Sequence, residues 1–339
     1  MNATKEFGGY FGLDLPDHGD AFPGMLPFQS ARAALRAIFA TNRISQVWIP
    51  AYVCDSVFAS AEEAGVKYVM YHLDDDLYPI DLPANIPQGN ALLYVNYFGL
   101  KQDIVHRLLQ DYPADRIIVD NSQALFARPT AALASVYSPR KFAGLPDGGL
   151  LACSADLGIR LPDREDEGSF ERMRFMMLRT AHSAREGYPA FNVARQSLRG
   201  LPPLSMSRMT RRLMRSIDWP ALASARKRNF AIMHDQLRAY NQMTWRTDAE
   251  SVPLCYPLML TANMDTVRLR NSLADENIFV PVYWPDALER APASGITTRL
   301  LHQTLFLPID QRIGAEECAA IARRIGELLE QADRFAAYS

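Results

Sequence analysis

Lysine is scarce in this chain. Of its 36 basic residues, five are lysines: Lys5, Lys67, Lys101, Lys141 and Lys227. The other 31 are arginines. Any chemistry that needs a primary amine has few candidates. Cysteine is scarcer still. Cys54, Cys153, Cys255 and Cys318 lie far apart and form no Cys-x-x-Cys. That excludes a small disulfide scaffold and predicts reduced thiols in a cytoplasmic protein. There is little charge of either sign in excess: 36 basic against 38 acidic residues leaves a net −2. Global charge therefore gives no argument for nucleic acid or an anionic membrane as partner. No stretch approaches the roughly 18 uninterrupted apolar residues of a membrane-spanning helix. The opening Met-Asn-Ala-Thr-Lys-Glu-Phe-Gly-Gly lacks the apolar core of a signal peptide.

Several motifs are missing too. No Gly-x-Gly-x-x-Gly follows a strand-like run, and there is no phosphate-loop Gly-x-x-x-x-Gly-Lys-Ser/Thr or Gly-x-Ser-x-Gly elbow. The six histidines lack metal-ligand spacing. Asp74-Asp75-Asp76, between a strand-like run and Pro79, reads as a solvated turn, and no metal is expected.

What is present is a globular composition, 48% apolar and 22% charged over 339 residues. At about 150 residues per domain that means two domains or one large one. Residues 1–29 read as irregular, with glycine and proline interspersed. Ser30 then precedes apolar positions 31, 34, 35 and 38, predicting a capped helix over 31–39. Strands are predicted at 46–50, 66–71, 91–95 and 116–119, with helices at 54–64 and 103–111 between them. These strands are near-continuous apolar runs, the pattern of a mostly parallel sheet covered on both faces. In such sheets ligands bind at the carboxyl ends of the strands. Chemistry is therefore expected at Pro50 to Cys54, Asn96 to Gly99 and Asp120 to Gln123. After Ser154, residues 165–241 read as helices broken at Gly187, Gly200 and Pro202-Pro203. Strand-like runs return at 255–260 and 278–283, with a helix over 264–275. Leu305 to Ile309 and a final helix over 315–335 complete a smaller C-terminal α/β unit. The expected division is 1–225 for the large domain and 226–339 for the small one.

Two places carry chemistry. Asp120 directly follows Ile117-Ile118-Val119. An ionisable group at the end of a buried strand is costly unless it meets a partner. It reads equally as a turn residue or as a carboxylate aimed at a cation. The second place is the loop between Ala134-Ser135-Val136-Tyr137 and Leu150-Leu151, which holds Ser138, Arg140, Lys141 and several glycines. A lysine held against apolar walls has a lowered pKa and becomes a usable nucleophile. Ser138 offers a hydroxyl to a phosphate, and the glycines allow close backbone approach. Pyridoxal phosphate needs a lysine, an acid for its pyridinium nitrogen, and a phosphate cradle at a helix N-terminus. Lys141, Asp120 and the helix start at Ser30-Ala31-Arg32 offer one of each.

At these residues the chain resembles the DegT/DnrJ/StrS sugar aminotransferases, fold-type-I pyridoxal phosphate enzymes. The matching pieces run in order over most of the chain: Ser30 to Leu35, Ile49-Pro50-Ala51-Tyr52, Asn96-Tyr97-Phe98-Gly99, Val119 to Ala124, Ser138 to Gly149, and Leu307-Pro308-Ile309-Asp310. The resemblance implies that Lys141 anchors the cofactor covalently and is the catalytic residue. It implies that Asp120 partners the ring nitrogen, that Gln123 contacts the ring or its hydroxyl, and that Ser138 contacts the phosphate. Ala31-Arg32 stands where the family has Gly-Thr, with Arg32 itself in reach of the phosphate. Cys54 stands where the family stacks an aromatic residue on the ring, and Tyr52 is the nearest substitute.

The resemblance further implies a homodimeric aminotransferase that makes an amino sugar for a surface polysaccharide, with an amino acid donor and a keto-sugar acceptor. A sugar lyase or dehydratase is one alternative. Dehydratases resembling this family carry histidine in place of the lysine, against which Lys141 counts. A non-catalytic binding or regulatory protein that kept the fold is the other. Residues 171–238 hold 14 basic and 4 acidic side chains. They read either as a site for an anionic, nucleotide-linked substrate or as solvated helix faces paired with acids elsewhere.

Overall fold

The structure is a computed structural model that describes residues 7–248, 250–292 and 294–336, with side chains as far as 332. Lys5 lies outside the described residues. The first half alternates Leu26–Phe28 (β1), Ala31–Phe39 (α1), Gln46–Pro50 (β2), Asp55–Glu63 (α2), Lys67–Leu73 (β3), Pro79–Ile80 (β4), Asn90–Val95 (β5), Gln102–Asp111 (α3), Ile117–Asn121 (β6), Ala134–Tyr137 (β7) and Gly149–Cys153 (β8). Ser30 caps α1 as its sequence predicts, its Oγ accepting from Ala33 N at 3.1 Å.

Eight strands form one sheet in the order β1-β8-β7-β6-β5-β2-β3-β4. The central β7, β6, β5, β2 and β3 are mutually parallel, while β8 and β4 run antiparallel to their neighbours β7 and β3. The continuous apolar runs explain this. Val47, Ile49, Leu92, Leu93 and Ile118 are fully buried because both faces of the sheet are covered. Parallel pairing brings the carboxyl ends of β2, β5, β6 and β7 to one edge. The loops beginning at Ala51, Asn96, Ser122 and Ser138 all leave from that edge. In the register Val95↔Asp120↔Val136, Asp120 is a strand residue one position before the end of β6, rather than the first residue after it. The short edge strand β1 was hidden in the stretch read as irregular. Its pairing partner is β8, more than a hundred residues away, so no local pattern marks it.

Close approach welds the end of the Lys141 loop to α1. Gly148 N donates to Gln29 O at 2.7 Å, at a φ of +111° that favours glycine. A Cβ on Gly149 would stand 2.1 Å from the Ser30 carbonyl carbon and 2.3 Å from Ala31 N. Only glycine at 149 lets β8 lie this close to the start of α1.

The middle segment comprises Ser169–Arg172 (α4), Arg174–Ala181 (α5), Ala184–Gln196 (α6) and Arg208–Arg215 (α7). The helix break expected at Gly187 is absent, and Gly187 lies inside α6. The chain turns instead at His182–Ser183, where Ser183 caps α6. Gly187 serves packing: a Cβ there would meet Phe175 O at 3.1 Å, so its absence lets α6 close on α5.

Trp219–Leu237 (α8) leads into the C-terminal part: Tyr256–Met259 (β9), Thr266–Asp275 (α9), Ile296–His302 (α10), Thr304–Leu307 (β10) and Ala315–Ala336 (α11). β9 and β10 pair antiparallel, and α8 packs on α11. Trp219 and Leu222 of α8 join the cluster around Tyr137 and Phe142, whereas Phe230, Met233 and Leu237 join the core with Tyr256. Residues 225 and 226, the expected domain boundary, lie inside this helix. The strand expected at 278–283 is not formed. Pro281 removes a ladder donor there, and the two-stranded sheet contains only β9 and β10. Among the described residues, no helix is long and apolar enough to cross a membrane.

Candidate active site

Lys141 closes a single 3₁₀ turn, Pro139–Lys141, just after β7. Its Nζ donates to Ser122 Oγ at 2.9 Å, tying the loop after β7 to the loop after β6. Its side chain stays accessible to solvent. The surrounding protein still withdraws water from the ammonium. This desolvation is the main force lowering the Lys141 pKa, and Arg140 adds to it. Asp120 and Cys54 work in the opposite direction. The net effect enriches the neutral amine, the form that acts as a nucleophile.

Asp120 is 4% exposed. Its Oδ1 accepts from Ser122 N at 2.8 Å, which fixes the carboxylate and turns the chain so that the Ser122 hydroxyl meets Lys141. Gln123 is wholly buried. Its Oε1 accepts from Phe98 N at 3.0 Å, while its Nε2 has no partner among the described residues. A buried amide nitrogen left unpaired is costly, and here it lies in the loop that also carries Ser122. Behind these residues, Asn96 Nδ2 donates to Asn121 Oδ1 at 3.1 Å and to Gln102 Oε1 at 2.9 Å. These bonds fix the end of β5 against the end of β6. Ser138 is buried, and its hydroxyl makes no hydrogen bond among the described residues.

Cys54, at the N-cap of α2, is within electrostatic range of Lys141, Arg32 and Arg140. Tyr52 does not fill the place expected for it. Its ring has no exposed surface and packs between Tyr97, at 5.8 Å, and Trp284, at 4.8 Å. Packed in this cluster, it has no open face left to stack on a ligand. Sequence spacing places Tyr52 near the site but says nothing of which way its side chain leaves the backbone.

Arg32, on the first turn of α1, donates from one terminal nitrogen to Leu198 O at 2.9 Å. Arg32 N has no acceptor among the described residues, as expected at a helix N-terminus, whereas Ala31 N faces Gly148 O in the Ser30–Gly148 bridge. Burial lowers the pKa of Arg32, and Arg199 and Arg36 push the same way.

The rest of the arginine-rich segment largely answers to acids and carbonyls. Arg215 pairs with Asp17 at 2.7 Å, Arg212 donates to Pro16 O at 2.9 Å, and Arg211 meets Glu165 at 3.6 Å. Two arginines hold the Lys141 loop from behind. Arg226 donates to Leu254 O at 2.9 Å and Phe142 O at 3.3 Å, and burial lowers its pKa to about 10. Arg172 donates to Asp147 Oδ2 at 2.8 Å and also pairs with Asp166. Asp147 accepts further from Ser169, at 2.6 Å, and from Thr210. Arg195 and Arg199 stand apart from this pattern, within electrostatic range of Arg140 and Arg32 respectively.

Lys101 is the other lysine whose pKa burial lowers. It lies 5.4 Å from the Trp245 ring centre, and its neighbouring acids are Asp103, Asp76 and Asp74 rather than Asp120. Asp74 forms the expected turn, accepting from Asp76 N at 2.9 Å and Tyr78 N at 2.8 Å. Among the described residues, no three His, Cys, Asp or Glu side chains gather to hold a metal ion. All four cysteines are free thiols.

No family model matches the sequence, and no curated protein sequence matches it. Solved structures match over nearly the whole chain. The sugar aminotransferase CalS13 from Micromonospora echinospora aligns over 89% of this chain and 86% of its own, with a TM-score of 0.59 at 16% identity. A DegT DnrJ EryC1 StrS aminotransferase from Brucella abortus aligns over 90% and 85%, with a TM-score of 0.57 at 14% identity. Spr1654 of Streptococcus pneumoniae, named as a candidate sugar aminotransferase, aligns in its PLP form over 91% and 88%, with a TM-score of 0.60 at 15% identity. The chain has the fold of these aminotransferases: a mostly parallel eight-stranded sheet covered by helices, followed by a smaller α/β part.

Proposed function

We propose that the protein is a pyridoxal-phosphate-dependent aminotransferase that moves an amino group from an amino acid to a keto-sugar, and that it works as a cytoplasmic homodimer in amino-sugar synthesis. One observation carries the reading. The Lys141 amine is held by Ser122, beside the buried Asp120 carboxylate, at the carboxyl edge of an aminotransferase-type sheet.

The residues present fit the cofactor. Among the described residues, Gln123 Nε2 has a donor to give, Arg32 N at the start of α1 has no acceptor, and the Ser138 hydroxyl is unengaged. When bound, pyridoxal phosphate supplies a carbonyl that takes up an amine and a ring that accepts electrons. Lys141 would hold it covalently, and the freed amine would carry the proton at the reacting carbon. Asp120 would keep the ring nitrogen protonated through a charge-assisted hydrogen bond. Gln123 Nε2 would donate to the ring hydroxyl. Ser138 Oγ and Arg32 would hold the phosphate at the helix start that Ala31 opens. A lysine able to return and displace the amine suits transfer of the amino group and disfavours dehydration of the sugar.

The visible spectrum of the purified protein tests this reading. The expected protein is coloured. Glutamate or glutamine shifts its visible band to that of the pyridoxamine form, and a keto-sugar nucleotide restores it. Restoration by free keto acids alone would keep the aminotransferase and remove the sugar. A coloured protein that no amino donor changes would be a binding protein instead.

A further inference from the structure

Arg140 carries a charge that nothing in the described structure answers. It sits between Pro139 and Lys141, half-buried, with no hydrogen bond and no ion pair among the described residues. Arg32 is similar at one atom: its Nε is buried without a partner among the described residues. The Ser30–Gly148 bridge and the abutment of Gly149 on Ser30 and Ala31 bring the end of this loop to the start of α1. Burial lowers the pKa of Arg140, and Arg32 and Arg195 deepen the effect. The facing carboxylate, Asp147, is already engaged by Arg172, Ser169 and Thr210. Arginine does not escape such a place by losing its proton. Two partly desolvated guanidinium groups, within electrostatic range of one another, therefore lack an unengaged counter-anion among the described residues, and a guanidinium matches phosphate oxygens two at a time.

We propose that Arg140 and Arg32 form a two-guanidinium clamp for a phosphate monoester dianion at the N-terminus of α1, beside Lys141. This rests on the function proposed above in one respect only: that the phosphate is the cofactor's. Arg32 is anchored on Leu198 O and holds its place, whereas Arg140 is free to close on the ligand.

The test titrates wild type, Arg140→Gln and Arg140→Lys with pyridoxal phosphate, with pyridoxal and with inorganic phosphate. Absorbance follows the two aldehydes, and ³¹P line width follows phosphate. Circular dichroism checks that each variant is folded. Arg140→Gln is expected to bind pyridoxal phosphate about ten- to a hundredfold more weakly and pyridoxal unchanged, and to lose the ³¹P broadening. Arg140→Lys should recover part of the affinity for phosphate. Equal weakening toward both aldehydes, or no weakening toward either, overturns the clamp and leaves the aminotransferase reading standing. Wild type that holds inorganic phosphate through Arg140 but takes up neither aldehyde supports the clamp and overturns the cofactor reading.

Discussion

Lys141→Ala is expected to abolish turnover, by more than about ten-thousandfold, while leaving the fold intact. The size of the effect follows from the two roles assigned to one amine, covalent anchor and proton carrier. The tolerance of the fold follows from the side chain's surroundings. It is solvent-accessible and makes one side-chain hydrogen bond, to Ser122. Lys141→Arg keeps the positive charge beside Asp120 and should be equally inactive, because a guanidinium is neither nucleophile nor base here. Small primary amines added to Lys141→Ala should restore part of the activity, and the more basic ones should restore more. Single-turnover spectra with an amino donor check all three outcomes. More than about a tenth of wild-type activity in either variant would remove Lys141 from the chemistry.

Arg172→Ala should cost about 3–5 kcal/mol of stability, the largest effect expected from any residue outside the cleft. Arg172 is 5% exposed, and its partners Asp147 and Asp166 are 0% and 4% exposed. Burial opposes the Arg172 charge, and the two carboxylates more than reverse that opposition. Removing the arginine leaves two carboxylates in a place with little water. Asp147 belongs to the segment between Lys141 and β8, so the loss should also loosen the Lys141 loop. Denaturant unfolding of the variant measures the first effect, and cofactor affinity the second. The triple variant Arg172→Met, Asp147→Asn, Asp166→Asn removes all three charges and should recover most of the stability. A cost below about 1 kcal/mol for Arg172→Ala would show that water reaches the network.

The sheet was legible because its strands are short, apolar and separated by helices with the right period. Ser30 and α1 were legible because a cap is a local event. The site was partly legible for the same reason: Asp120, Gln123, Ser138 and Lys141 sit just where parallel strands end. Ser122 was missed as a partner of Lys141, although its place two residues after Asp120 was a usable signal. Arg140, next to Lys141, was passed over because adjacency alone does not separate a ligand-binding arginine from a solvated one. The arginine-rich helices could not be sorted by local charge. Arg215 meets Asp17 across 198 positions, and Arg212 meets Pro16 across 196. Arg172 and Asp147 are 25 apart but on different elements. Tyr52 shows a different limit. A turn after a strand fixes which residue is near the edge, but packing decides whether its ring faces the cleft or the core. The run at 278–283 had the apolar content of a strand and no sheet edge to join.

The most direct test of the account is borohydride reduction of the holo-protein followed by peptide mapping. Lys101, like Lys141, is a lysine whose pKa burial lowers, so desolvation alone does not choose between them. The Ser122 hydrogen bond and the neighbouring Asp120 favour Lys141. The account predicts a phosphopyridoxyl group on Lys141 and on no other lysine. A label on Lys67, Lys101 or Lys227, or none at all on a coloured protein, would contradict it.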